Sequence, residues 1–350
     1  MVSKRVVIGL SGGIDSTIAA FLLKQQGFEV IGLHFTFSEE KQYEHIEIIS
    51  NQLGIPIHTY DISADFKIVK EHFVSEYFKG RTPSPCTFCN RVIKWSKLIE
   101  FADQNNCEHI SSGHYIRKTE LNGYYHLQKG VDHIKDQSYF LWELNSDIIS
   151  RMINPLGDYT KKEVREIASR NVFANLLKKK ESMGVCFLQN MDYRDFLKTY
   201  CPEKTRNIKK GLVKDETGQI IGTHEGFIYY TVGQKRGLNL EIKRPAYVSK
   251  INYEKNELTV GLKKSLYNYH IKLENIHLVN PMSISKDTQL MINIRGLGLN
   301  PEEPAIVKFI DKNSIELELI MPAWAVAPGQ PVVFYKNDIL LGGGTAEESW

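Results

Sequence analysis

Three features of the amino-acid sequence predict an α/β chain with an N-terminal parallel sheet, a small central β-rich domain and a C-terminal β-barrel. Up to residue 112, apolar strand-like runs alternate with helical segments. A glycine-rich turn joins the first run to the first helix. Beyond residue 200 the texture changes to short alternating or β-branched runs broken by Gly, Asn and Pro. Strands alternating with helices imply a parallel sheet covered on both faces. Closely spaced short strands with turn residues imply antiparallel β-structure.

In chain order, RVVIGL (5–10) reads as a buried strand, and DSTIAAFLLKQQ as a helix ending at Gly27. FEVIGLHF (28–35) is a second strand, followed by a polar helical stretch to about Leu53 and an apolar strand over 55–60. Helices over 64–78 and 92–105 precede a strand over 109–112. The later strands lie in GLVKDETGQIIGTH, FIYYTVG, YVSKINYEKNELTVG, IVKFI, SIELELI and VVFYKNDILLGGGTA, with DETG, EKN, DKN and KND as turns. Three domains are expected over 1–200, 201–268 and 269–350. Sites in parallel sheets lie at the carboxyl ends of the strands. Residues 11–16, 81–90 and 113–114 all fall there, so these segments are expected to converge.

At 350 residues, 42% hydrophobic and 24% charged, the composition is that of a globular protein with a sizeable core. No apolar run approaches the roughly 20 residues of a membrane span, and the first residues lack a secretory signal, so no membrane partner and a cytoplasmic location are expected. Five cysteines at irregular spacing argue for reduced thiols over a disulfide framework. The net charge is only +3. Cations nevertheless cluster between 160 and 245: Lys161-Lys162, 178–180, Lys204 with Arg206, Lys209-Lys210, Lys235-Arg236 and Lys243-Arg244. A nucleic-acid surface and ordinary solvated faces both account for that.

The strongest motif is SGGIDS, residues 11–16, between the first strand and the first helix. Glycines there let backbone N–H groups turn around an anion, and the helix N-terminus adds a positive dipole end. The loop lacks the lysine of the G-x-x-x-x-G-K-[ST] loop and does not match G-x-G-x-x-G. It is similar to the loop of enzymes that cleave ATP between the α- and β-phosphates. In that role Asp15 is a candidate for organising Mg²⁺ and Ser16 for bonding a phosphate oxygen. Transfer of AMP makes a carbonyl oxygen a good leaving group, which a nucleophile then replaces. The cysteines offer that nucleophile: Cys86 and Cys89 form a C-x-x-C, and Cys186 lies in ESMGVCFL. A lone C-x-x-C is open to a redox pair, half a metal site or coincidence.

In order along the chain, GLSGGIDS, GRTPSPCTFCNRVIKW, SSGHY, KDQSYFLWEL, PLGDYTKKEVREIA, ESMGVCFL, HEGFIYYTVGQKRGLNL and PGQPVVFY with LLGGG resemble the tRNA-specific 2-thiouridylases. The resemblance implies a PP-loop ATP pyrophosphatase domain, of the adenine nucleotide alpha hydrolase-like kind, and a barrel that contacts tRNA. It implies a sulfurtransferase that adenylates the C2 carbonyl oxygen of the wobble uridine and inserts sulfur from a cysteine persulfide. ATP is then bound by Gly9, Leu10, Ser11, Gly12, Gly13, Ile14, Asp15 and Ser16, with Phe35 and Gly113. Cys89 matches the family's nucleophile and Cys186 the persulfide carrier. Ser84, Pro85 and Cys86 match a base-contacting stretch. Lys135, Asp136 and Gln137, with His114, Arg295, Gly296 and Gln330, match tRNA-contacting positions. Its partners would be tRNAs of the Lys, Glu and Gln type and a persulfide donor protein. Cys89 would resolve the intermediate by releasing sulfide or by forming a Cys89–Cys186 disulfide.

Four departures from the family pattern stand out. The segment after the second strand is short, Gln234-Lys235-Arg236 reverses the order of two cations, and RGLG at 295–298 replaces a more basic stretch. Position 86 is cysteine where aspartate is usual. Cys86, Cys89 and Cys186 are therefore also candidates for a [4Fe–4S] cluster with one open iron, which would make thiolation cluster-dependent. A paralogue acting on another acceptor, or only binding tRNA, is the remaining alternative. Trp95, Tyr115 and Tyr139, near these motifs, are expected to be core residues.

Overall fold

The computed structural model describes residues 4–37, 44–178, 184–188, 191–240, 245–295 and 300–350. The N-terminal strands are β1 (Arg5–Gly9), β2 (Glu29–Thr36), β3 (Ile57–Asp61), β4 (His109–Ser111), the hairpin β5 (Ile116–Leu121) and β6 (Tyr124–Lys129), and the short β7 (Met152–Ile153). Between them run α1 (Ile14–Gln25), α2 (Glu44–Leu53), α3 (Ser63–Phe78), α4 (Pro85–Cys89) and α5 (Trp95–Gln104). The short α6 (Ser146–Arg151) and then α7 (Lys161–Arg170) follow.

The expected parallel sheet is present, in the order β3-β2-β1-β4-β7. Val6 of β1 lies opposite Val30 of β2 on one side and His109 of β4 on the other. The order therefore turns around at β1, and a crevice opens between the loops that leave β1 and β4. Alternate strand residues supply the two layers of core. Val7, Leu33 and Ile110 face Trp95, Leu98 and Trp142, whereas Val6, Ile8 and Val30 face Ile18, Leu22 and Leu23 of α1. The helix expected over 92–105 starts earlier. Pro85 supplies its first position, and a π-helical turn, Asn90–Lys94, links α4 to α5. Such a widened turn re-aims the side chains on either side of it and is frequent at functional sites.

The central strands β8 (Gly211–Lys214), β9 (Ile220–His224), β10 (Asn239–Leu240), β11 (Tyr247–Asn252) and β12 (Glu257–Gly261) form a second sheet in the order β10-β9-β8-β12-β11. Its core of Val213, Val248, Leu258 and Val260 is shared with Phe73, Val74 and Tyr77 of α3. One helix thus packs on two units. The remaining strands are β13 (Tyr267–Leu278), β14 (Gln289–Asn293), β15 (Ala305–Ile310), β16 (Ile315–Trp324), β17 (Pro331–Lys336) and β18 (Ile339–Ser349). They run β13-β16-β15-β14-β17-β18, and pairing of β13 with β18 closes the barrel. The β5–β6 hairpin extends the same sheet, with Gln128 opposite Ile339. Nothing in the strand pattern of 116–129 announces that the N-terminal domain lends two strands to the barrel. Among the described residues no helix is long and apolar enough to cross a membrane.

Candidate active site

The chain leaves β1 under tight control. The Leu10 N–H donates to the Leu33 carbonyl at 2.8 Å, and His34 Nδ1 lies 2.6 Å from the Leu10 carbonyl. Gly12 then turns with φ +74°, a region that favours glycine. The Ser11 N–H donates to Ser16 Oγ at 3.2 Å, and the Ser16 and Thr17 hydroxyls donate to the Gly13 carbonyl at 3.2 and 2.9 Å. Ser11 and Ser16 Oγ are 3.1 Å apart. The result is a closed loop capping the N-terminus of a 12-residue helix, which is the positive end of its dipole. Gly113, just past β4, packs against the first turn of that helix. A Cβ there would stand 2.6 Å from the Ser16 nitrogen and 2.8 Å from the Asp15 carbonyl carbon. Phe35 lies near the end of β2, edge-on to Tyr60. Residues 9–16, Phe35 and Gly113 thus gather at the carboxyl ends of adjacent strands.

Two residues complete this site that the motif reading did not include. Lys161, the first residue of α7, places Nζ 2.8 Å from both Asp15 carboxylate oxygens. The Tyr115 hydroxyl donates to Asp15 Oδ1 at 2.6 Å. Lys161 is only 9% exposed. In the sequence it stood as one member of a basic cluster, and a doublet of lysines carries no sign that one of them turns inward. Asp15 is thereby already neutralised by an ammonium. A magnesium ion at this carboxylate does not fit the arrangement as it stands, because Lys161 holds both oxygens.

The cysteine segment lies across the sheet edge. In α4, Cys89 is buried at 4% exposure and Cys86 is half-buried. Burial pushes both thiols up, Cys89 to about 11, while the Lys94 ammonium and the neighbouring Cys186 act on both in opposite senses. Cys186 is exposed, in a single turn Cys186–Leu188. The next residue anchors it: the Phe187 ring sits 5.9 Å from Phe66, 5.2 Å from Phe73 and 4.9 Å from Phe196. Phe187, Phe35 and Cys89 belong to one apolar cluster, so Cys186 is carried on a hinge of packed rings to the side of Cys89.

The five cysteines are all free, in line with the expectation of reduced thiols. Among the described residues no group of three or more His, Cys, Asp or Glu side chains converges to hold a metal. Cys89 is buried, Cys86 half-buried and Cys186 exposed, an arrangement that lends the cluster reading no support. Trp95, Tyr115 and Tyr139 are buried core residues, as expected.

The positions matched to tRNA contacts are scattered, and several act inward. Asp136 is buried and accepts from the Ser138 hydroxyl at 2.7 Å and from the Gly130 N–H at 3.3 Å. Gln137 Oε1 accepts from the Tyr115 N–H at 3.2 Å, and Lys135 is half-buried beside them. His114 Nδ1 lies 2.7 Å from Ser112 Oγ; burial, helped by the Lys94 charge, pushes the imidazole down to about 4. It is therefore neutral at pH 7. On the barrel, Arg295 donates to the Ala325 carbonyl with its guanidinium 5.5 Å from the Trp324 ring centre. Gln330 Oε1 accepts from the Ala327 N–H at 3.1 Å. Gly296 lies outside the described residues, as do Lys179, Lys180, Lys243 and Arg244. The loop that carries both of those partners, Ala325 and Ala327, runs on to Pro328, whose carbonyl accepts from the Thr82 N–H, two residues ahead of Ser84, at 2.7 Å. Arg81 also pairs with Glu76 of α3 at 2.8 Å and with Glu274 of β13.

Comparison with known proteins agrees with this organisation along the whole chain. Residues 4–190 match the model of the tRNA methyl transferase HUP domain, 194–262 the tRNA methyl transferase PRC-barrel domain, and 268–346 the aminomethyltransferase beta-barrel domain. Two proteins of Phocaeicola vulgatus, tRNA-specific 2-thiouridylases MnmA 3 and MnmA 2, are each 39% identical to it. Those matches cover 97% of this chain and 93% of the first relative, and 98% and 97% for the second. The tRNA-specific 2-thiouridylase MnmA 2 of Thermoanaerobacter sp. is 38% identical, over 99% of this chain and 98% of its own length.

Proposed function

The chain belongs to the tRNA-specific 2-thiouridylase family, and from that premise we propose that it is an ATP-dependent sulfurtransferase acting on the wobble uridine of tRNA. The observation that carries this reading is that Phe35, on the strand beside the loop at 9–16, shares an apolar cluster with Cys89 and with Phe187, the neighbour of Cys186. The loop's N–H groups and the dipole of α1 suit the phosphates of ATP. Gly9, Leu10, Ser11, Gly12, Gly13, Ile14, Asp15 and Ser16, with Phe35 and Gly113, form the nucleotide site in this reading.

The uridine C2 oxygen attacks the α-phosphorus, pyrophosphate departs, and C2 carries AMP as its leaving group. The terminal sulfur of a Cys186 persulfide attacks C2, and AMP leaves with the original oxygen. The Cys89 thiolate then attacks the Sγ of Cys186, freeing the thiocarbonyl and leaving a Cys89–Cys186 disulfide for a thiol reductant. In the alternative order Cys89 attacks the persulfide first, and the sulfide released attacks C2. Exposure of Cys186 suits loading by a persulfide donor protein, and the buried Cys89 suits a resolving step shielded from solvent. Ser84, Pro85 and Cys86 face the target base in this scheme. His114, Lys135, Asp136, Gln137, Arg295 and Gln330 line or shape the tRNA surface. An anticodon base is reachable because it can be turned out of its stack. By family resemblance the substrates are tRNAs of the Lys, Glu and Gln type.

The test is to incubate the protein with ATP, a persulfide donor and unmodified tRNA, and to measure 2-thiouridine by nucleoside mass spectrometry. Wild type forms it, and Cys89→Ser and Cys186→Ser each reduce it by a factor on the order of 1,000 or more. Undiminished product from either variant overturns the two-cysteine scheme.

A further inference from the structure

We infer that Lys161 is the cation that grips the departing pyrophosphate, and that Asp15 holds its ammonium in place until a polyphosphate arrives. This rests on the reading that ATP occupies the loop at 9–16 and names the residue that takes the charge of its β- and γ-phosphates.

The loop itself contains no lysine, so its own contribution to an anion is backbone N–H groups and a helix dipole. Lys161 brings a full charge to the same place from another element. Its Nζ is 2.8 Å from both oxygens of Asp15, the second residue of α1. The delivery is rigid. Thr160 and Glu163 form a capping box that fixes the start of α7, and the Lys161 N–H donates to Asp132 Oδ2 at 2.9 Å. The ammonium lies 6.0 Å from the Tyr115 ring centre. That tyrosine's hydroxyl holds Asp15 Oδ1 at 2.6 Å, so the carboxylate stays oriented when the ammonium moves.

Stability alone does not require such a pair. A partly buried ion pair recovers little beyond its own desolvation, and apolar residues of similar volume commonly serve as well. Asp15 is the more exposed partner, at 33% against 11% for the lysine side chain, so the carboxylate faces the crevice with the cation behind it. A triphosphate carries several negative charges against the one on Asp15. Its oxygens compete for an ammonium on a four-carbon stem, which needs to pivot by only a few ångströms. AMP has no β- or γ-phosphate and gains nothing from the exchange. The arrangement therefore binds ATP and pyrophosphate in preference to AMP.

The test is equilibrium binding of ATP, inorganic pyrophosphate and AMP in EDTA, with wild type, Lys161→Met, Asp15→Asn and the neutral double variant. Lys161→Met is expected to weaken ATP and pyrophosphate about 30-fold while AMP changes less than twofold. Asp15→Asn frees the ammonium and tightens both polyphosphates severalfold. The double variant also removes the unpaired carboxylate's repulsion, so it binds better than Lys161→Met but still well below wild type, and it carries the measurement should the single variant fail to fold. Unchanged ATP and pyrophosphate affinity in Lys161→Met, full recovery in the double variant, or weaker binding in Asp15→Asn each overturns the inference. Absence of ATP binding by wild type, in EDTA and with Mg²⁺ restored alike, instead defeats the functional reading on which it stands.

Discussion

The loop at 11–16 and the cysteine segments lie on either side of the Phe35 strand and its apolar cluster, yet they are held by opposite means. The loop closes on itself: Ser11, Gly13, Ser16 and Thr17 bond to one another within seven residues. At the cysteine site the local bonding among the described residues is sparser, with the Thr87 hydroxyl donating to the Ser84 carbonyl at 2.8 Å. Cys89 is set by a π-turn, Cys186 by a ring that packs on Phe66, Phe73 and Phe196, and the approach to both by a barrel loop near Pro328. Short-range hydrogen bonding makes a site rigid and cheap to encode. Long-range packing makes one that depends on how three units meet. The first arrangement suits the proposed phosphate cradle, the second the proposed pairing of an exposed loading thiol with a buried resolving one.

If local closure is what matters at the loop, its weakest point is where another backbone touches it. Gly113→Ala is the severest single change, since its Cβ would stand 2.6 Å from the Ser16 nitrogen, against backbone that cannot rotate away. Overpacking of this kind costs about 1–3 kcal/mol, and α1 would be displaced from its N-terminus. ATP affinity is expected to fall by roughly two orders of magnitude, measured by calorimetry, with Cys186 alkylation unaffected. Normal ATP binding in Gly113→Ala would mean that the loop tolerates displacement and is not locally closed.

That contrast also explains what could be read in advance. Strand and helix order through β4 and the loop at 11–16 followed from apolar periodicity and from glycine, because those signals are local. The β5–β6 hairpin's attachment to the barrel did not, since Gln128 and Ile339 are paired across 211 positions and nothing in either strand marks the other. Lys161 was visible only as a basic doublet; its inward turn depends on α7 lying beside α1. The cluster of three thiols was a reasonable reading of spacing, but spacing does not report that Cys89 is buried and Cys186 exposed.

The two thiols offer a finer test of the same contrast. A thiol reacts as its thiolate. Raising Cys89 from an ordinary 9 to about 11 leaves it roughly 100-fold less thiolate at neutral pH. The sign follows from burial, which favours the uncharged form. Alkylation of Cys89, followed by peptide mass spectrometry, is expected to rise about tenfold per pH unit from 7 to 10 and to lag far behind Cys186 throughout. Equal rates for the two thiols at pH 7 would show that Cys89 is open to solvent and would remove the shielded resolving step.

The smallest expected effect probes the long-range frame itself. Arg81, three residues ahead of Ser84, joins Glu76 at the end of α3 to Glu274 on β13, and so fastens the cysteine segment to the barrel. Glu274→Gln keeps the shape and removes one charge from a partly exposed network, a loss of roughly 1 kcal/mol or less. Because the proposed ATP site is built on the separate local frame, ATP affinity should not change. The thiolation rate should fall severalfold, as the segment samples positions away from Cys186, and Glu76→Gln should act in the same direction. A change in ATP affinity that matches the change in rate would mean that the two sites share one frame after all. A fall in rate alone, larger at high ionic strength where the remaining ion pair is screened, would establish that the barrel positions the thiols as well as presenting Arg295 and Gln330.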